Sequence, residues 1–168
     1  MARPKITLRP EPLTAEGFAP FGEVIEAALD VSSAMNDARF ERFDELCTID
    51  IEAGGRLAVS IARCRTPSAL PLRVDRVERH PLGSQVFVPL QPCKMVVVVA
   101  PPRDVVDAAD LRAFVTRPRQ GFNYHRGTWH MPLIAFAADD QFLVIDRGGD
   151  EPNCEERTLD GIVMLEAG

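Results

Sequence analysis

The amino-acid sequence predicts an all-β fold, a barrel or two-sheet jelly roll with only a few short helical turns. Three observations carry this expectation. Apolar residues recur in short alternating runs, turn signals separate those runs at intervals of about eight to twelve residues, and no stretch sustains a helical period. The 14 prolines fall mostly at the ends of these runs, where a missing N–H terminates a sheet ladder without leaving it unpaired. The chain shows no internal repeat and no low-complexity segment.

Residues 5–9 alternate polar and apolar and stop at Pro10, which predicts a first strand. Thr14 is placed to cap a short helical turn through Glu16 and Phe18 that ends before Pro20. Gly22 opens a second strand over 23–26. Residues 30–37 are small and polar and predict a loop, and 39–46 carry no clean period. After the turn residues Gly54 and Gly55, Leu57, Val59 and Ile61 alternate with Ala58, Ser60 and Ala62, a half-buried strand with Arg63 on the Leu57 face. Pro67 and Pro71 bracket a loop, and strands follow over 73–80 and 85–90. The apolar run within 94–100 predicts a central buried strand, closed by Pro101 and Pro102. A helical turn at 107–111 and strands over 112–116, 134–137, 142–146, 156–159 and 162–165 complete the expectation.

At 168 residues the chain fits one domain, 1–168, with a single sizeable core that buries roughly 70% of the unfolded surface. No apolar run approaches the roughly 18 residues of a membrane-spanning helix. The N-terminal residues show no export leader, so a cytoplasmic location is expected. Cys47, Cys64, Cys93 and Cys154 lack the paired spacing of zinc or redox motifs and are expected to be free thiols. A net charge of -6 argues against a nucleic-acid partner, which needs a basic surface field. A small anion could still be held locally by some of the 17 arginines, whose planar forks match carboxylates.

The chemistry-bearing residues cluster. Residues 121–132 hold His125 and His130, the single tryptophan, Trp129, and the single tyrosine, Tyr124. The third histidine, His80, lies in 78–85 beside Glu78 and Gln85. His125 and His130 are five apart, so a straight strand sends them to opposite faces; only a turn, for which Gly127 supplies freedom, could bring them together. Gly127 preceding His130 by three matches the second motif of cupin barrels. Glu78, His80 and Gln85 have the spacing of the first, with Glu in place of a histidine and Gln in place of a glutamate. Glu78, His80, Gln85 and His130 together would offer a mixed nitrogen and oxygen site of the sort a first-row divalent metal accepts. Trp129 reads as a core or wall aromatic. Asp146 and Arg147, at a strand end before Gly148 and Gly149, read either as a local ion pair or as an arginine presented to a carboxylate.

Three blocks in order, Glu78 to Gly83, Asn123 to Arg126 with Trp129, His130, Pro132 and Leu133, and Ile145 to Gly149, resemble the ureidoglycolate lyase family. The resemblance runs from about Ile6 to Leu165. It implies a cupin-like double-stranded β-helix, a homodimer, and cleavage of (S)-ureidoglycolate to glyoxylate and urea in allantoin and purine breakdown. It also implies a divalent metal, Ni2+, and no organic cofactor. Two positions depart from the family's frequent histidines: Asp44 follows Arg42 and Phe43, and Met131 follows His130. On this reading His80, His125, His130 and Tyr124 are the catalytic candidates. Arg147, Arg63, Gln85 and Asn36 are the substrate-binding ones, and His80, His130, Glu78 and Gln85 would hold the metal. The alternatives are a metal-dependent cupin oxygenase or isomerase, and a non-catalytic cupin that binds a small anion.

Overall fold

The computed structural model describes residues 5–27 and 32–168. In chain order the elements are β1 (Lys5–Leu8), β2 (Glu11–Pro12), α1 (Ala15–Phe18), β3 (Gly22–Ile25), β4 (Ser33–Met35), β5 (Phe40–Arg42), β6 (Arg56–Arg63), β7 (Leu72–Arg73) and β8 (Arg76–Arg79). They continue as β9 (Gln85–Pro89), β10 (Met95–Ala100), a 3₁₀ turn (Ala108–Asp110), β11 (Arg112–Val115), β12 (Gly121–Tyr124), β13 (Trp129–His130), β14 (Ile134–Ala135), β15 (Gln141–Gly148), β16 (Glu155–Thr158) and β17 (Ile162–Leu165). Among the described residues α1 and the 3₁₀ turn are the only helices, and neither is long enough to cross a membrane. Thr14 caps α1 through its hydroxyl, which accepts from the Gly17 N–H at 3.1 Å.

Three sheets stack as layers. A three-stranded sheet has the order β1-β17-β7, a seven-stranded sheet β16-β8-β13-β10-β11-β2 with β14 also on β10, and a five-stranded sheet β3-β12-β9-β15-β6. The central strand β10 is buried along its whole length because both of its faces are covered, which is why it reads as an unbroken apolar run. Val96, Val98 and Ala100 join Trp129, Val77, Val163 and Leu165 in one core, against the three-stranded sheet. Val97 and Val99 join Phe18, Phe87, Phe122, Phe142 and Tyr124 in the other, against the five-stranded sheet. The all-β, cupin-like expectation holds as a sandwich whose sheets do not close into a barrel.

Three local expectations are corrected, and one that alternation left open is settled. The loop expected over 30–37 begins partly outside the described residues, and from Ser33 onward it is a hairpin, β4 paired with β5. Its turn places Asn36, Asp37 and Ala38 at positive φ, a region that Asn and Asp tolerate best among residues with a side chain. The strand expected over 73–80 is divided between two sheets as β7 and β8. Val74 and Val77, three apart, are both inside the same core, which strict alternation forbids, so the chain changes sheet between them. Strands β12 and β13 lie outside the strands expected from the sequence, because polar site residues interrupt their alternation. In β6 the faces alternate as expected, but Ala62 packs inward while Leu57, Val59 and Ile61 are 54%, 63% and 60% exposed.

Candidate active site

The inner face of the seven-stranded sheet assembles the site. On β8, Val77 points into the first core, so Glu78 points toward the five-stranded sheet, and His80, two residues further, returns to that face. His130 on β13 is the direct partner of Glu78 in the antiparallel register and of Val99 on the other side. The loop between β12 and β13 makes this pairing possible. Thr128 N–H donates to the His125 carbonyl at 3.0 Å, Gly127 takes a φ of 77°, and the Gly127 N–H donates to the His80 carbonyl at 3.0 Å. A tight turn of this form needs a residue free to adopt positive φ. The two sequence-distant segments are therefore joined through their main chains.

The side chains converge accordingly. The His80 and His130 ring centroids lie 5.1 Å apart, and His130 Nε2 is 3.6 Å from Glu78 Oε1. From the opposite sheet, Tyr124 stacks on His130 with centroids 4.2 Å apart and planes 14° from parallel. Each imidazole is held by its other nitrogen: His80 Nδ1 lies 2.7 Å from the Asn153 carbonyl and His130 Nδ1 2.9 Å from the Thr128 carbonyl. A carbonyl only accepts, so both Nδ1 atoms carry the proton, and in the neutral rings both Nε2 atoms present lone pairs. These two Nε2 atoms are buried and have no hydrogen-bond partner among the described residues.

Electrostatics favours the neutral ring at His130. Burial pushes the His130 imidazole below its ordinary pKa, outweighing the opposing contact with Glu78. The same contact, reinforced by nearby positive charge, lowers the Glu78 carboxyl despite partial burial. At neutral pH the pair is thus a carboxylate beside a neutral imidazole. Burial, with the Glu78 charge adding to it, drives the Tyr124 phenol upward, so it remains protonated and keeps an O–H to donate. Two imidazole lone pairs and a carboxylate, with ligand atoms within 4.8 Å of one another, suit a divalent cation of intermediate softness. The chemistry of the donor set fits such an ion.

The remaining sequence candidates fall elsewhere. Gln85 is the cross-strand partner of Tyr124 and shares its face, but its amide is committed to Asp146 Oδ2 at 3.2 Å. Arg147 lies on the opposite face of β15 from Phe142, Val144 and Asp146, because the pairing with β6 continues without a bulge. Its side chain is 1% exposed, with Nη2 on Glu151 at 2.9 Å. A Cβ at Gly83 or Gly149 would approach it to 3.0 and 2.8 Å, and one at Gly55 would overlap its guanidinium. Arg147 is therefore enclosed rather than presented at a pocket mouth, with its Nη1 buried and without a hydrogen-bond partner among the described residues, and Asp146 is paired with Gln85 rather than with Arg147. Arg63 ends the exposed edge strand β6, and Asn36 sits in the β4–β5 turn.

His125 turns away from the cluster. It is 44% exposed, stands 4.0 Å from Glu23, and lines a separate surface cleft with Thr48, Asp50, Ser84 and Arg126. Asp44 pairs with Arg42 at 2.7 Å in the exposed hairpin region, and Met131 packs into the first core, on the other side of the sheet from His130. Trp129 is fully buried there, its indole N–H donating to the Arg103 carbonyl at 2.8 Å. Residue type does not mark Asn153 or Thr128 as site residues. Their contribution to the histidines is a main-chain carbonyl, which leaves no trace in residue type.

Fold and site define a small cupin-like β-sandwich protein with two histidines and a carboxylate gathered between its sheets. A family model described as ureidoglycolate lyase matches residues 5–166, and the chain belongs to the ureidoglycolate lyase family. Relatives named ureidoglycolate lyase include one from Burkholderia mallei (strain NCTC 10229), 49% identical over 154 residues, covering 91% of this chain and 89% of the relative. One from Pseudomonas aeruginosa (strain LESB58) is 45% identical over 150 residues, covering 89% of each. A third, from Pseudomonas fluorescens (strain Pf0-1), is 46% identical over 151 residues, covering 89% of this chain and 90% of the relative.

Proposed function

We propose that this chain is a carbon–nitrogen lyase of the amidine-lyase class that cleaves (S)-ureidoglycolate to glyoxylate and urea in allantoin and purine breakdown. The observation that carries this reading, together with family membership, is the pair of unpartnered Nε2 lone pairs beside Glu78 and the Tyr124 phenol. Ureidoglycolate bears a hydroxyl and a ureido nitrogen on one carbon. Removing the hydroxyl proton lets its electron pair form C=O while the C–N bond breaks, and the departing nitrogen takes a proton to leave as urea. An unprotonated Nε2 of His130 or His80 is suited to accept the first proton, and the phenol of Tyr124 to donate the second.

Alternatively, Glu78, His80 and His130 would hold a divalent ion, Ni2+ on the family resemblance, which would take up the two Nε2 lone pairs and, in place of an imidazole base, supply a Lewis acid that lowers the hydroxyl pKa. No organic cofactor enters this reading. The test is the product assay. Purified protein given racemic ureidoglycolate should release glyoxylate and urea in equal amounts without consuming oxygen; a rate lost on chelation assigns the first step to the ion, and an unchanged rate assigns it to the imidazole base. Oxygen uptake would favour an oxygenase instead, and saturable binding without glyoxylate release a non-catalytic cupin.

The reading includes a cytoplasmic homodimer. The free thiols suit a reducing compartment. Leu57, Val59 and Ile61 lie on the outer face of an edge strand, in register with Arg147, Ile145 and Leu143. An exposed apolar row on an unpaired edge is a surface that soluble proteins ordinarily cover. Sedimentation should give a dimer for the wild type and a monomer for Val59→Lys; a monomeric wild type would refute the pairing.

A further inference from the structure

The loop that leaves β15 and returns as β16 is fastened at two points. At its start Arg147 Nη2 donates to Glu151 Oε2 at 2.9 Å, from a side chain enclosed by Gly55, Gly83 and Gly149. At its end Asn153 makes two bonds of different kinds. Its side-chain oxygen accepts the Leu82 N–H at 2.7 Å, and its main-chain carbonyl accepts from His80 Nδ1, also at 2.7 Å. The residue thus grips the chain on both sides of Pro81, one bond holding the loop and the other holding the imidazole.

We propose that Asn153 is a positioning residue: its side-chain bond to Leu82 holds its own carbonyl against His80 and so keeps the His80 Nε2 lone pair in the site. The consequence is chemical rather than merely steric. A ring whose Nδ1–H has lost its acceptor is free to carry the proton on Nε2 instead, and an Nε2–H neither accepts a proton nor coordinates a cation. His130 is held independently by the Thr128 carbonyl and serves as an internal reference. The proposal rests on the reading of His80 as a site residue, but its tautomer is measurable without turnover.

With only three histidines, long-range 1H–15N correlation spectra of labelled, chelator-treated protein resolve the tautomer of each ring. Wild type should show His80 and His130 in the Nδ1–H form. Asn153→Ala should bring His80 into a mixture of both forms, leave His130 unchanged, and lower kcat by about 10- to 100-fold, the range of a lost outer hydrogen bond to a site histidine. Asn153→Asp keeps an oxygen for the Leu82 N–H and should restore both the His80 tautomer and kcat. The proposal is overturned if Asn153→Ala leaves His80 wholly in the Nδ1–H form, if His130 shifts with it, or if Asn153→Asp restores neither. A protein inactive on ureidoglycolate but with the expected tautomer changes would overturn the substrate and leave the positioning role in place.

Discussion

His130→Ala is expected to lower kcat/KM for ureidoglycolate by about 10²- to 10⁴-fold, the loss that follows removal of a placed acid–base group. Three properties set this residue apart. It is 2% exposed, its Nε2 faces Glu78 at 3.6 Å, and burial keeps the ring neutral, with the Nε2 lone pair unoccupied by a proton. The substitution also removes a ring stacked on Tyr124. That truncation should cost about 1–3 kcal/mol, or a few degrees of melting temperature per kcal/mol for a domain of this size, so the variant remains folded at 25 °C. Wild-type kinetics in a folded His130→Ala protein would remove the residue from the mechanism.

Tyr124→Phe is the second large effect expected, a fall in kcat of about 10²-fold with KM little changed. The phenylalanine ring keeps the stack on His130 and the contacts with Phe18, Phe87 and Phe122, so only the hydroxyl is lost. Stability should therefore hold near the wild-type value. Burial keeps the Tyr124 phenol protonated and so with a proton to give; the same shift weakens it as an acid, and the strongly basic departing ureido nitrogen is what draws the proton. Loss of kcat alone marks an interaction made in the transition state; an unchanged kcat would assign the proton to another donor.

The convergence of the two motif segments was legible because it depends on strand alternation and one glycine. Glu78 and His80 share a face by their spacing, and Gly127 permits the turn that returns His130 to the same sheet. The roles of His125 and Arg147 were not legible in the same way. Residue type marks both as candidates, but their facing depends on where β12 and β15 end and on which side of the five-stranded sheet the core lies. Leu57, Val59 and Ile61 show the same ambiguity: alternation separates two faces without saying which is inside. Asn153 acts on His80 through its backbone, so its effect is visible only in three dimensions.

The account rests on a single catalytic centre between the two larger sheets, and the most direct measurement is glyoxylate release by His125→Ala and His130→Ala side by side. The first variant changes a ring in a separate, exposed cleft and should retain wild-type turnover, while the second should lose it. The opposite pattern, His125→Ala inactive and His130→Ala active, would contradict the account and move the chemistry to the Glu23 cleft.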